Sequence, residues 1–291
     1  MIKKLLVWAL LLLLTLPILP AVGEEAILNQ INGLNSDFSF PADAKLLEVY
    51  FPKINGCDAA FVRYGEYSML IDCAGEQWRA TEALLEKLNV TELTYALNSH
   101  PDADHIGGFN HVLKSIPAEE FLLGFPENYS EGDSLRFKVY SDLHTLGIPF
   151  RQVKNGDTIE FGDVEITVYQ RTDASLTRVN NKSVMLMIRL GQRSIFFTGD
   201  IQRDAQLLLI ADRENLELKA DILKAPHHGY NNMQAGFLDM VSPELVIITS
   251  GRGSAGVTQQ LAEEKIQHYF CENGILRLAT DGSIWTVERL N

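Results

Sequence analysis

Short runs in which apolar and polar positions alternate recur along most of the chain, and stretches of helical spacing separate them. Residues 46–51, 59–62, 68–72 and 93–97 read as strands, whereas 77–88 places Trp78, Leu84, Leu85 and Leu88 on one helical face. A short helix is expected after residue 108, with Phe109, Val112 and Leu113 inward, and a longer one at 134–146. Residues 152–170 read as two or three strands punctuated by Asn155-Gly156 and Phe161-Gly162-Asp163. A hairpin follows at 184–198 around Gly191-Gln192, then helices at 202–212, 233–241 and 258–270 and strands at 222–224, 245–249, 276–279 and 283–287. No repeat and no low-complexity linker interrupts this order. Two β-rich halves, each followed by helices, predict one α/β domain in which two sheets pack face to face with helices outside.

The beginning of the chain follows another pattern. Met1-Ile2-Lys3-Lys4 is a short basic start, an apolar run extends from Leu5 to Leu19, and Pro20-Ala21-Val22-Gly23 precedes Glu24 and Glu25. This is the layout of a secretory signal peptide at 1–23, cut after Gly23. An uncleaved membrane anchor is the alternative, since 5–22 just reaches the length that spans a bilayer. Residues 24–44 read as an irregular arm and 45–291 as the folded domain, with no further segment apolar enough to cross a membrane. The expected location is therefore secreted, periplasmic or otherwise outside the cytoplasm.

Export makes the three cysteines worth reading. A hairpin centred on Gly65 would set Cys57 opposite Cys73, and a one-residue change of register would undo that pairing. Cys271, expected near the end of the last amphipathic helix, reads as a buried free thiol.

With 25 Lys and Arg against 38 Asp and Glu among 291 residues, the net charge is −13, and loss of Lys3 and Lys4 with the signal segment would make it −15. Whole-molecule electrostatics cannot hold a polyanion at that balance. A phosphate backbone would need a local basic patch or metal ions.

Candidate chemistry concentrates at three strand ends. Ser99-His100-Pro101-Asp102-Ala103-Asp104-His105-Ile106-Gly107-Gly108 follows the strand at 93–97 and puts four potential metal ligands, His100, Asp102, Asp104 and His105, into six positions. Residues 100, 102 and 104 of an extended loop share one side, and a turn at Gly107-Gly108 would bring His105 round to a second ion. Ile195-Phe196-Phe197-Thr198-Gly199-Asp200 ends a buried strand in a carboxylate placed to bridge two cations. Ile222-Leu223-Lys224-Ala225-Pro226-His227-His228-Gly229 ends another in adjacent imidazoles. Convergence of these ends on one edge would assemble a metal centre.

These residues resemble the metallo-β-lactamase superfamily, and within it the ComEC-type hydrolase domain of DNA-uptake proteins. The resemblance extends to Gly56-Cys57-Asp58-Ala59, Leu70-Ile71-Asp72-Cys73-Ala74-Gly75, Asn180-Asn181-Lys182-Ser183 and Thr280-Asp281-Gly282-Ser283-Ile284. It implies a metallo-β-lactamase-like αββα four-layer sandwich with the site on one edge. It also implies that His100, Asp102 and Asp200 hold one divalent ion while Asp104, His105, Asp200 and His227 hold the other. Asp72 would orient a ligand histidine, and Lys224, Asn181, Ser183, Arg252 and His228 would contact substrate or donate a proton; Asp104, Asp200 and His228 are the expected catalytic groups. His111 and His144 read as helix-surface residues without a role.

Asp102 stands where many members have histidine, so the first ion site is rich in oxygen. That moves the expected ions toward Mn²⁺, Mg²⁺ or Fe²⁺, with Zn²⁺ remaining open. Three carboxylates against two divalent ions leave one positive charge, which a bridging hydroxide neutralises while serving as the nucleophile. The expected activity is phosphodiester or nucleic-acid hydrolysis. Departures at Tyr230-Asn231-Asn232-Met233 and Ser250-Gly251-Arg252-Gly253 remove a histidine and hydroxyls of the ComEC-type pattern. An exported hydrolase of a lactam, a lactone or a wall-polymer phosphoester, and a non-catalytic binding protein that keeps the fold, are the other two readings.

Overall fold

The computed structural model describes residues 39–126, 134–251 and 255–290. The signal segment at 1–23, most of the arm and Arg252 lie outside the described residues. Strands β1 (Leu47–Phe51), β2 (Ala60–Tyr64), β3 (Tyr67–Ile71), β4 (Leu93–Asn98), β5 (Ala118–Leu123) and β6 (Phe150–Gln152) lie in the first sheet. The second holds β7 (Thr158–Ile159), β8 (Glu165–Gln170), β9 (Val184–Leu190), β10 (Arg193–Phe197), β11 (Ile222–Lys224), β12 (Leu245–Ile248) and β13 (Gln267–Phe270). The chain then returns to the first sheet with β14 (Ile275–Thr280) and β15 (Trp285–Leu290). The strand orders are β15-β14-β1-β2-β3-β4-β5-β6 and β13-β12-β11-β10-β9-β8-β7.

Period-two alternation explains the layers. In β9, Leu186 and Ile188 face the first sheet, where they meet Val49, Phe51, Val62 and Leu97, while Met185 and Met187 face outward. Helices α1 (Trp78–Lys87), α2 (Ala103–Ile106), α3 (Phe109–Val112) and α4 (Ser134–Leu146) cover the outer face of the first sheet. They do so through Leu84, Leu85, Ile106, Phe109, Val112, Val139 and Leu143. On the second sheet, α5 (Arg203–Ala211), α6 (Ala235–Val241) and α7 (Ala255–Glu263) bury Leu209, Phe237, Val241, Val257 and Leu261. Helix, sheet, sheet and helix are the four layers expected, in one domain.

Three local expectations change. The helix expected to run to residue 270 stops at Glu263, because Lys265 adopts φ 57° and Ile266 N–H closes a turn on the Leu261 carbonyl. The chain then enters β13, so Cys271 follows a strand, in a short 3₁₀ turn, rather than a helix. The second change is β5, whose only apolar run is Phe121-Leu122-Leu123 behind Glu119 and Glu120. Third, the β2–β3 hairpin pairs Ala60 with Ile71 and Tyr64 with Tyr67, so its centre falls after Gly65 and Cys57 and Cys73 are out of step by one residue. All three cysteines are buried free thiols.

Strands β3 to β6 run parallel, as do β10 to β13, so the carboxyl ends of β3, β4, β10, β11 and β12 open on one rim of the sandwich. Open α/β sheets bind ligands at such ends. Among the described residues no helix is long and apolar enough to cross a membrane.

Candidate metal centre

Each loop at this rim is held by its neighbours before any side chain acts. Asp72 N–H bonds the Leu97 carbonyl, Cys73 N–H the His105 carbonyl, Ala74 N–H the Asp58 carbonyl and Gly56 N–H the Thr249 carbonyl. His227 N–H reaches the Gly199 carbonyl and Val184 N–H the Ser99 carbonyl, which tie the second sheet in. Gly107 and Gly108 do not form the expected turn. Both are helical in φ/ψ, and His105 is presented from α2 instead. Gly108 is required because a Cβ there would overlap the Cys73 carbonyl oxygen.

Asp72 lies at the carboxyl end of β3 and is 2% exposed. It accepts from Ser99 N–H (2.8 Å), the Ser99 hydroxyl (2.7 Å), Asn98 Nδ2 (3.0 Å) and His105 Nδ1 (2.8 Å). Donation from Nδ1 fixes the ring of His105 so that Nε2 faces the rim, 3.2 Å from Asp200 Oδ2. Asp58 repeats the arrangement. Its Oδ1 accepts from His228 Nδ1 at 3.0 Å and from the Thr249 hydroxyl, leaving His228 Nε2 at 3.2 Å from both Asp200 Oδ2 and Asp104 Oδ2. Two carboxylate–imidazole pairs therefore meet at one carboxylate. Ligand atoms of Asp58, His105, Asp200 and His228 all lie within 4.8 Å of one another, and all four residues are buried.

Lys224 occupies the floor of this group. Its ammonium pairs with Asp58, donates to the Gly199 carbonyl at 3.1 Å and stands 3.7 Å from Asp200 Oδ1. Burial disfavours every one of these charges, yet mutual attraction prevails. His105 is raised well above its ordinary value because Asp200 and Asp72 outweigh burial. His228 is pushed up to about 12, Asp58 and Asp200 overcoming the same burial. Burial also opposes Asp200 and Asp58, but His105 and His228 hold the Asp200 carboxyl well below the usual range, and Lys224 and His228 lower that of Asp58.

The donor set fits a divalent cation. His100 Nε2, His105 Nε2 and Asp200 Oδ1 are buried without a hydrogen bond, His105 Nε2 being near Asp200 but out of line. Buried polar atoms left so need another partner, and imidazole nitrogen with carboxylate oxygen is the chemistry that binds divalent transition metals.

The residues singled out from sequence take up distinct positions. His105, Asp200, His228 and Asp104 come together. His100 is buried beside them, its ring 4.1 Å from that of His105 and its Nε2 3.5 Å from Asp102 Oδ2, so these two form an adjoining pair rather than part of the group of four. The two neighbouring histidines exchange places relative to expectation. His228 joins the group, whereas His227, expected as the ligand, stands 4.0 Å from Asp200 with its side chain 25% exposed. Its pKa is lowered by burial, which the more distant Asp200 does not offset. The backbone is the cause: His227 and His228 both adopt left-handed φ, 49° and 56°, which turns the second ring inward.

Asn181 and Ser183, expected near substrate, support the scaffold. Asn181 Oδ1 accepts Gln202 N–H at the start of α5, and Ser183 Oγ accepts Asp200 N–H while donating to the Asn180 carbonyl. His111 lies on α3 against Trp78, ring centroids 4.3 Å apart and nearly parallel, and His144 packs edge-on to Phe150. Asp58 is the functional residue that received no role from sequence. Its signal, a Gly-Cys-Asp-Ala loop, carries no ligand spacing, and its partner His228 is 170 residues away.

Comparison with known proteins agrees with this geometry. The family model described as the metallo-beta-lactamase superfamily matches residues 53–248. ComE operon protein 3 of Bacillus subtilis (strain 168) is 26% identical over 239 residues, covering 75% of this chain and 30% of its own. Competence protein ComA of Neisseria gonorrhoeae is 27% identical over 227 residues, covering 77% and 29%. The chain thus spans less than a third of the length of these relatives. Among solved structures, the metallo-beta-lactamase fold protein YhfI from Bacillus subtilis aligns with a TM-score of 0.53 at 12% identity, over 84% of this chain and 100% of that one. Because the family match runs through more than half of the sequence and includes Asp58, His105, Asp200 and His228, the protein belongs to the metallo-beta-lactamase superfamily and is a metal-dependent hydrolase.

Proposed function

We propose that this hydrolase is an exported dinuclear phosphodiesterase whose substrate is a nucleic acid or another phosphodiester. The observation that carries the reading is the convergence of His105, His228 and Asp104 on Asp200, beside the oxygen-rich pair His100 and Asp102. Relatives named for competence support nucleic acid as the substrate class.

Asp104, His105, Asp200 and His228 would hold one divalent ion, and His100, Asp102 and Asp200 the other, Mn²⁺ or Zn²⁺ with Mg²⁺ or Fe²⁺ as alternatives. The bound ions would supply Lewis acidity and a water acidic enough to act as hydroxide near neutral pH. The protein's part is positioning. Asp72 and Asp58 keep the Nδ1 protons of His105 and His228, which leaves each Nε2 lone pair toward the rim. Ser183 fixes the turn that carries Asp200, and Lys224 anchors Asp58 from below. This makes His228 the ligand of the adjacent pair.

The test is hydrolysis by the purified chain, stripped of metal and re-supplied with Mn²⁺ or Zn²⁺, of bis-p-nitrophenyl phosphate, single-stranded DNA and a chromogenic cephalosporin. Metal-dependent cleavage of both phosphodiesters is expected. Cleavage of the cephalosporin alone refutes the phosphodiesterase reading, and no metal uptake with no turnover favours a binding protein. Export is tested by fractionation and N-terminal sequencing, a mature start at Glu24 being the expected result.

A further inference from the structure

The imidazole of His227 is set by a chain of groups whose donor and acceptor roles leave little choice. A guanidinium can only donate, and Arg178 Nη1 donates to Gln202 Oε1 at 3.2 Å, which settles which end of that carboxamide is oxygen. The other end, Gln202 Nε2, has only hydrogens to offer and lies 3.0 Å from His227 Nδ1. Asn231 Nδ2 approaches the same nitrogen at 2.8 Å. Nδ1 of His227 is therefore an acceptor, and the proton of the neutral ring sits on Nε2. That atom faces the metal group, 4.0 Å from Asp200 Oδ2. Ligation through Nε2 would require that proton to move to Nδ1, where two carboxamide NH₂ groups face it. The contrast with His105 and His228, whose Nδ1 atoms face carboxylates, is complete.

His227 also lines a cleft of about 550 Å³ on the second-sheet side of the rim, together with Arg178, Asn181, Gln202, Arg203 and Asn231 among others. Carboxamides and two guanidiniums predominate in the lining, beside Ile201 and Pro226, with Asp204 the one carboxylate. Such a wall suits an anionic, hydroxyl-bearing fragment better than an apolar one.

Resting on the phosphodiesterase reading, we infer that His227 is a hydrogen-bond donor to a substrate phosphoryl oxygen rather than a metal ligand, and that Arg178 and Gln202 are the positioning residues that keep its proton on Nε2. The Nε2–H bond is aimed where negative charge grows on a non-bridging oxygen as the leaving group departs. No proton changes hands. The contribution is electrostatic, and it is set before substrate arrives.

The experiment reads the tautomer directly. The full chain, labelled with ¹⁵N-histidine, is examined metal-free and Zn²⁺-loaded by long-range ¹H–¹⁵N correlation, with the His227 ring identified by its loss in His227→Gln. The expected result is a neutral Nε2–H ring in both states. Gln202→Glu, which places an acceptor opposite Nδ1, moves the proton to Nδ1. Arg178→Ala, an exposed change that frees the Gln202 amide to turn, produces a population with Nδ1–H that Arg178→Lys removes. His227→Ala keeps the zinc content of the wild type by metal analysis while kcat for bis-p-nitrophenyl phosphate falls on the order of a hundredfold. His228→Ala loses zinc. An active wild-type chain with Nδ1–H at His227, or loss of zinc in His227→Ala, overturns this inference alone. A wild-type chain that takes up no metal and cleaves no phosphodiester overturns the phosphodiesterase reading and this inference with it.

Discussion

Replacing Asp58 with asparagine tests whether the rim is organised from beneath by a buried ion pair. The new carboxamide would keep the volume of the side chain and an oxygen able to accept from His228 Nδ1 and Thr249, but it would turn a carboxylate oxygen into an NH₂ facing the Lys224 ammonium. Lys224 is 2% exposed and would be left with the Gly199 carbonyl at 3.1 Å and Asp200 at 3.7 Å. Removing one member of a buried pair typically costs 3–5 kcal/mol, and the second carboxylate keeps this case near the lower end, about 3 kcal/mol. With a urea slope on the order of 2 kcal/mol per molar, the unfolding midpoint of the metal-stripped protein drops by about 1.5 M. Lys224→Met leaves the opposite charges unpaired, so the double variant should cost less than the two single changes together, by about 1–3 kcal/mol. Because Asp58 also aims His228, Asp58→Asn should weaken metal binding by about 10–100-fold. A stability loss below about 1 kcal/mol with additive single variants would refute the pair as a structural element.

Glu48 supplies the pH-dependent counterpart, away from the metal group. Burial pushes its carboxyl up, but hydrogen bonds from Arg63, Tyr50 and Arg277 outweigh that and hold it below the usual 4.5. A depressed folded value means the stabilisation is present above 4.5 and vanishes as pH falls through the folded pKa. Glu48→Gln should therefore unfold more easily than wild type at about pH 7, by about 2 kcal/mol, with the gap closing below about pH 4 in thermal scans. Gly108→Ala should destabilise by about 3 kcal/mol or more in urea titrations, since the added methyl meets the Cys73 carbonyl. The purified chain in guanidinium, without reductant, should titrate three thiols.

How far the sequence reaches differs from element to element for physical reasons. Strands buried on both faces, such as β10 and β11, announce themselves by apolar runs, and so do the sandwich and its rim. β5 escapes notice because Glu119 and Glu120 separate its buried Ala118 from Phe121-Leu122-Leu123. The helix at 258–270 reads too long because its stop is a left-handed Lys265, where glycine would be the recognisable signal. Asn181 and Ser183 sit in a suggestive motif, but which way their side chains point is decided by α5 and the Asp200 turn, elements encoded elsewhere. His227 and His228 are the same residue at adjacent positions. Only the left-handed backbone and the partners Asp58 and Gln202 separate their roles, and neither partner is a sequence neighbour.

The buried floor of the rim has a charge logic that follows from these partners. Asp58, Asp72, Asp104 and Asp200 bring four carboxylates into contact with His105, His228 and Lys224, three groups able to carry a positive charge. The surrounding carboxylates are why both rings are raised against the effect of burial. Divalent cations bound on the Nε2 side would answer the same negative charge that raises the two imidazoles. The fold therefore need not open or repack to pass from one state to the other, since the orienting bonds to Asp72 and Asp58 use Nδ1 and survive the exchange at Nε2. Lys224 is the constant member: its charge is needed in both states, and no ligand in this group could replace it from the solvent side, because it lies beneath Asp58 and Asp200 rather than between them and the rim's opening.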